Sequence, residues 1–473
     1  MQALSASDYQ IARLLLERGL AALYLIAFVA AARQFPALAG ERGLEPATWV
    51  LRATRFWQAP SIFHWRYSDR LLRGVCAVGG LIAASLVIGL PQAAPLPVTM
   101  LAWLTLWVLY SSVANVGGSF YSFGWETLLL EAGFLAIFLG NAAMAPPFLV
   151  IIAYRWLAFR VEFGAGLIKL RGDQCWRDLT CMNYHHETQP MPNPLSWWFH
   201  HLPRPLHRLE TVGNFVAQLA LPFGLFLPQP VASIAATLMI ATQLYLVVSG
   251  NYAWLNWVTI IVICAGVADP VLGALGLPTP DPLPAGPAWF AWLTVGLGVL
   301  ILILSYRPVR NLLSPRQAMN ASFDPLRLVN TYGAFGSVTR TRYEVVVEGT
   351  DAALPDTDAE WREYEFKGKP GDPRRRPPQV APYHLRLDWL MWFLPISRMY
   401  GEGWFRPFLT RLLEGDAPTL RLLRRNPFPD APPTFVRARL FEYRYTTWQE
   451  RRATGAWWHR EPVGTFAPPV RLP

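Results

Sequence analysis

Residues 164–203, GAGLIKLRGDQCWRDLTCMNYHHETQPMPNPLSWWFHHLP, gather more side chains able to do chemistry than any comparable stretch of this chain. They hold four of its eight histidines and two of its four cysteines. Lys169, Arg171, Asp173, Trp176, Arg177, Asp178, Glu187, Gln189 and Pro190 complete the set. Cys175 and Cys181 are spaced C-x5-C, which fits a disulfide, free packing thiols, or half of a metal site completed by His185 and His186. Zinc ribbons and fingers prefer about two to four residues between their cysteines, which counts against the metal. His185, His186 and Glu187 have the residue types of a general acid/base set, since imidazole titrates near neutrality and a carboxylate can orient it. Adjacent residues, however, rarely point the same way. His200, His201 and His207 follow the pair Trp197 and Trp198, a composition suited to an interfacial segment with its rings at headgroup depth. The sequence holds no nucleophile elbow, Walker loop, strand-linked GxGxxG or HExxH, so no catalytic residue, metal or cofactor is assigned.

A second group of chemistry-bearing residues lies inside apolar runs. Glu126 and Glu131 fall on one run, and Arg155, Arg160 and Glu162 on the next. An ionisable residue at the centre of a membrane helix costs about 2.5–3.5 kcal/mol on insertion scales, so each needs a partner or a cavity. Arg155, Glu162 and Lys169 recur every seven residues, which at about 3.6 residues per turn puts them on one helical stripe. A Glu131–Arg155 ion pair between adjacent helices is the structural expectation. A transport path or proton relay is its functional rival.

The elements that carry these residues must be membrane helices. A chain of 473 residues with 53% hydrophobic and 16% charged residues and 21 Trp is too apolar for an ordinary soluble protein. Residues 74–125, 211–268 and 282–306 contain no Asp, Glu, Lys or Arg. One crossing needs roughly 20 apolar residues, or about 30 Å of helix. We read crossings at residues 14–32, 75–90, 98–113, 125–139, 148–168, 212–227, 231–248, 252–268 and 289–306, about nine in all. Pro91, Pro95, Pro97, Gly117, Gly118, Pro146, Pro147, Pro228, Pro230, Gly250 and Asn251 mark the breaks between them. The first crossing lacks a small-residue cleavage site and reads as a retained signal anchor.

After Tyr306 the composition changes. Residues 307–473 carry 26 Lys and Arg against 18 Asp and Glu, most of the chain's net charge of +10. Residues 342–350, 364–367, 384–390 and 435–446 alternate in the manner of strands, with a helical piece at 405–425. The expected fold is therefore an α-helical integral membrane protein followed by a C-terminal antiparallel β domain of sandwich type. Residues 1–306 form the polytopic transmembrane domain, with a polar motif loop at about 164–210, and residues 307–473 the soluble β-rich domain. With nine crossings, the segment 33–73, the motif loop and the C-terminal domain share one side. Seven arginines in residues 33–73 make that side cytoplasmic under the positive-inside rule.

The blocks LIKLRGD, CWRDLTC and HHETQPMPNPLSWWFHHLP closely resemble the lipase maturation factor family of multispan membrane proteins. NTYGAFGSVTRTRYEVVVEGT at 330–350, WREYEFKGKPGD at 361–372 and APYHLRLDWLMWF at 381–393 resemble that family's C-terminal region, in the same order. Within them we single out Asn330, Tyr332, Gly333, Phe335, Arg340, Tyr343 and Glu344. The resemblance implies a membrane-resident assistance factor whose partners are the bilayer and an exported client, a lipase in the family's named role. Eukaryotic relatives occupy the endoplasmic reticulum membrane with the C-terminal region in the lumen. The Ala-, Leu-, Arg- and Pro-rich composition suggests a bacterial inner-membrane counterpart with that region in the periplasm. This overrides the positive-inside vote, because the charge rule is weakest for folded domains. No catalytic residue or cofactor comes with the resemblance, and oligomeric state stays open.

Two mechanisms compete. In the first, the edge strands and exposed aromatic residues of the β domain hold a half-assembled client, above a motif loop stiffened by a Cys175–Cys181 bridge. In the second, a membrane-embedded enzyme uses Glu131, Arg155 and Glu162 with His185 or His186 as base, on a lipid, quinone or acyl-type substrate. That reading requires those groups to converge on a lipid-accessible pocket. A transporter would show internal repeats, and none is evident. Nucleic-acid binding is not indicated, since affinity for anionic headgroups explains the basic excess equally well.

Overall fold

Uninterrupted runs of Leu, Ala, Val and Ile form helices that satisfy their own backbone groups, the condition for contact with lipid. The computed structural model describes residues 4–355 and 359–473. Among the described residues, five helical segments are long and apolar enough to cross a membrane: Ser7–Leu38, Asp69–Ile88, Leu96–Val116, Val231–Ser249 and Ala288–Leu313. In chain order the helices that matter here are α1 (Gln10–Leu38), α2 (Asp69–Ile88), α3 (Leu96–Val116), α4 (Gly124–Ala136), α5 (Phe148–Arg171), α6 (Met182–Thr188) and α7 (Arg204–Phe215). They continue with α8 (Val231–Ser249), α9 (Leu255–Ile263), α10 (Ala288–Leu304), α11 (Arg386–Phe393) and α12 (Phe405–Leu413). α1 packs along α2 and touches α4 and α9, so most of its length is buried. Its first amides are capped from a distance: Gln10 and Ile11 donate to the Asp269 carboxylate at 2.8 and 3.1 Å.

The four other segments read as crossings differ from the five. α4 has 13 residues, about 20 Å of helix, short of a bilayer core. α5 is 24 residues long but carries buried Arg155, Arg160, Glu162 and Lys169. The third is divided among α7, a π-helical turn at Val216–Ala220 and the turn Leu221–Gly224. The fourth is nine-residue α9 followed by a tight turn at Cys264–Gly266. The charged residues of α5 are packed against protein, where backbone and side-chain partners replace those that lipid cannot supply.

The C-terminal region contains small antiparallel sheets rather than the expected sandwich. β1 (Ala321–Ser322) pairs with β2 (Asn330–Thr331). β3 (Arg342–Thr350), β4 (Arg362–Glu363), β5 (Phe435–Tyr445) and β6 (Trp458–Val470) form one sheet in the order β4-β3-β5-β6. β3 and β5 pair along their full lengths, from Arg342 opposite Tyr443 to Thr350 opposite Phe435. No second sheet faces this one among the described residues; α11 packs on β3 and α12 on β5 instead. Residues 384–390 contribute to α11, not to a strand, and residues 364–367 contribute only an isolated bridge at Glu365. Alternation misleads at 384–390 because Arg386, Leu387, Asp388, Trp389 and Leu390 are all buried, so polar residues there do not mark a solvent face.

The C-terminal region is keyed into the helices. Gln34 of α1 donates to the His384 carbonyl at 2.7 Å and accepts from the Arg386 amide at 3.1 Å. The Asn251 side chain accepts from the Val380 and Ala381 amides at 2.8 and 2.9 Å and donates to the Pro378 carbonyl. Glycine allows the closest approaches. A Cβ at Gly164 would collide with the Tyr332 carbonyl, and one at Gly172 with that of Gly336.

Candidate functional site

The motif loop and the C-terminal blocks meet face to face. Arg342 and Glu344, two residues apart on β3, point to the same face of the strand and are both fully buried. Arg342 donates to the Glu187, Gln189 and Pro190 carbonyls and to Glu344. The second oxygen of Glu344 pairs with Lys369 at 2.8 Å. A buried carboxylate between two cations is thus fully engaged, and Arg342 spends its remaining donors on the loop. Tyr343, on the opposite face, is exposed and takes no part.

Around this anchor each motif side chain has a partner. Asp173 caps the short helix Gln174–Arg177 by accepting from the Cys175 amide at 3.0 Å, and it meets Arg340 at 3.3 Å. Cys175 and Cys181 are joined as a disulfide under Trp176, whose indole donates to the Phe335 carbonyl at 2.9 Å. Arg171 donates to the Leu312 and Ser314 carbonyls, whereas Arg177 and Asp178 are exposed and bind only local groups. Phe335 sits edge-on to the rings of His185 and Tyr252, in the turn that follows Gly333.

His185 and His186 diverge, so no His–His–Glu acid/base set forms. His185 Nε2 donates to the Tyr252 hydroxyl at 2.9 Å, and that hydroxyl donates to Gln189 Oε1 at 2.7 Å. Burial, with His186 and Lys169 nearby, pushes the His185 imidazole down to about 3. His186 turns instead to α7, where its Nε2 lies 3.2 Å from Glu210 Oε1. Glu210 also meets His207 Nδ1 at 2.6 Å and accepts from the Tyr245 hydroxyl of α8. Glu187 faces away from both: its carboxylate accepts from the Tyr445 amide at 2.6 Å, and burial raises it to about 7.

Trp197 and Trp198 pack against the C-terminal region. The Trp197 indole is buried and donates to the Thr446 carbonyl at 2.9 Å. Arg451, on the helix Trp448–Thr454 that opens with a Thr447–Glu450 capping box, stacks over Trp457, Trp197 and Trp198 at 3.6, 4.6 and 5.1 Å from their ring centres.

The charges inside the helices are also partnered, but not as the sequence suggested. Glu131 pairs with Arg160, not Arg155, and accepts from the Asn330 amide, the Asn330 side chain and the Tyr332 hydroxyl at 3.0, 2.8 and 2.6 Å. The distinction turns on helix phase: Arg160 faces α4 and β2, whereas Arg155 faces the opposite way and binds the Ala265 and Leu225 carbonyls. Glu162 accepts from Gln218 and Gln243, and Lys169 donates to Asn214 and Gln218. Arg155, Glu162 and Lys169 therefore do share one face. Glu126 is held by Tyr110 and by Arg386 at 2.7 Å, while the His384 ring beside it accepts from the Trp125 indole.

A cavity of about 1450 Å³ opens beside this assembly, with α5, α7, α8, α9 and residues 315–337 contributing to its wall. Glu162, Lys169, His185, Glu210, Gln243 and Asn256 belong to its polar lining, and exposed Leu209, Val212 and Leu238 to its apolar lining. Of the residues named in the enzyme reading, Glu162 and His185 line it and Glu131, Arg155 and His186 do not, so the full set does not converge there.

The chain matches the lipase maturation factor transmembrane domain over residues 11–274 and the lipase maturation factor C-terminal domain over residues 328–468. It belongs to the lipase maturation factor family. It is 40% identical to lipase maturation factor 1 of Bos taurus, with 99% of this chain and 90% of the relative aligned. Identity to lipase maturation factor 1 of Homo sapiens is also 40%, over 99% of the chain and 89% of the relative. Lipase maturation factor 2 of Homo sapiens is 29% identical over 97% of the chain and 82% of the relative. No solved structure matches the chain.

Within this family member, sequence reasoning passed over Arg342, His384, Arg386 and Asn251, which hold the two regions together, and Glu210, on which two histidines converge. Arg342 was legible from its two-residue spacing to Glu344. Glu210 carried the signal His-x-x-Glu on an amphipathic helix, where residues three apart share a face.

Proposed function

We propose that this chain is a membrane-resident maturation factor that helps exported lipases reach their active, assembled form. The observation that carries this reading is 40% identity to lipase maturation factor 1 across 99% of the chain. It spans both the motif loop and the C-terminal blocks that Arg342 joins, so the likeness covers an assembled unit. The Cys175–Cys181 bridge supports an oxidising environment for the loop, the periplasm for a bacterial inner-membrane protein or the lumen of the endoplasmic reticulum. With α4, α5, the segment from α7 to Gly224, and α9 with its following turn also passing through the bilayer beside the five long helices, the chain makes about nine passages.

Client contact is made by side chains rather than by strand addition. The outer strand β6 carries Pro462, Pro468 and Pro469, which lack the amide donors an added strand needs, and the other edge, β4, has two residues. Trp57 and Trp65, each 77% exposed, supply apolar surface on the segment between α1 and α2. The test is the activity per unit of antigen of secreted lipases in the source organism, with this gene deleted and then restored. Lipase antigen that persists while its specific activity falls, and recovers on restoration, supports the reading. Unchanged specific activity for every lipase overturns it.

A further inference from the structure

We propose that His186, His207 and Glu210 form a zinc site that ties the motif loop to α7. His186 Nε2, His207 Nδ1 and the Glu210 carboxylate oxygens all lie within 4.8 Å of one another, and both histidines are buried. The shortest separations are 3.2 Å from His186 and 2.6 Å from His207. Two ligands bound tetrahedrally to zinc sit about 3.3 Å apart, so small side-chain rotations bring all three into range.

The partners of the two His207 nitrogens are a second observation. Its Nε2 faces the His200 carbonyl at 3.3 Å, a position that calls for an N–H. With that N–H on Nε2, Nδ1 faces Glu210 Oε2 at 2.6 Å, and two acceptors at that distance repel unless a cation or a proton lies between them. A metal bound by both removes the conflict. The surroundings match those of a ligand set: a main-chain carbonyl orients one imidazole, and the Tyr245 hydroxyl donates to the carboxylate. Two imidazoles and one carboxylate suit zinc, whereas magnesium and calcium prefer all-oxygen sets. Glu210 and Tyr245 line the large cavity, so a fourth coordination position opens toward it. His186 belongs to α6 of the motif loop, while His207 and Glu210 belong to α7, and the ion bridges the two.

The test uses the full chain in detergent, purified through a tag without histidines, stripped with a chelator, incubated with zinc sulfate and desalted before metal analysis. The wild type is expected to retain about one zinc per chain. His207→Ala and Glu210→Gln are expected to retain roughly tenfold less, and His201→Ala, outside the cluster, as much as the wild type. A zinc-free wild type overturns the proposal and leaves a protonated imidazole–carboxylate pair. Equal retention by the wild type and both variants also overturns it, as an adventitious ion only. Should the two variants fail to fold, cobalt added to the stripped wild type decides. Intense visible absorption of a four-coordinate centre supports the site, and its absence overturns it.

Discussion

Arg342 divides its donors between a carboxylate and three carbonyls, a task that the point charge of lysine does not reproduce. Arg342→Ala is expected to destabilise the protein by about 3–5 kcal/mol, because it breaks a buried pair and strips the loop of its anchor. Arg342→Lys should recover only part of this, read as thermal unfolding midpoints in detergent alongside lipase specific activity. His384 sets a pH dependence. Burial pushes its imidazole down to about 3, with the Arg386 charge adding to the effect. The folded chain therefore keeps it neutral where an unfolded imidazole, near about 6.5, takes up a proton. Its contribution to stability is complete above about pH 6.5 and is lost as the pH falls toward the folded value. His384→Gln should flatten the curve of unfolding midpoint against pH between about 4 and 7, and a curve unchanged by the substitution would assign the acid sensitivity elsewhere. The presence of buried charges was legible in the sequence, but which partner each takes was not. Glu131 could meet Arg155 or Arg160 by composition; only helix phase and the arrival of Asn330 and Tyr332 select Arg160.

Among elements, the bridged segment of the motif loop is the smallest closed unit. Closing so short a ring stabilises by about 2 kcal/mol in the chain-entropy account. Replacing both cysteines by serine is thus expected to leave membrane insertion intact, lower the unfolding midpoint slightly and reduce client maturation. Alkylation of the unfolded, unreduced wild type should label two cysteines, Cys76 and Cys264, and loss of membrane-bound protein in the double variant would contradict a shaping role. Long elements were the most legible: α1, α2, α3, α8 and α10 all overlap runs recognised by apolarity alone. Elements buried on every side were the least legible. α11 reads as a strand because its polar residues are engaged with protein, not water. β3 and β5 read correctly as strands but wrongly as part of a sandwich, since nothing local says that helices cover their second face, and β6, interrupted by Pro462, Pro468 and Pro469, does not read as a strand at all.

For the whole molecule, the division at Tyr306 describes composition better than cohesion. Two buried carboxylates of the helices take partners that lie beyond that point: Glu126 pairs with Arg386, and Glu131, besides its pair with Arg160, is held by Asn330 and Tyr332. Synthesis runs in the other direction. At about 5–20 residues per second, these carboxylates wait on the order of ten seconds or more before their partners leave the ribosome. During that interval Glu126, whose cationic partner is Arg386, must stay hydrated at the bilayer edge or enter the bilayer protonated. A nascent chain halted early carries the uncompensated acid of an unfinished protein, a mark by which membrane proteases can distinguish it from the completed one.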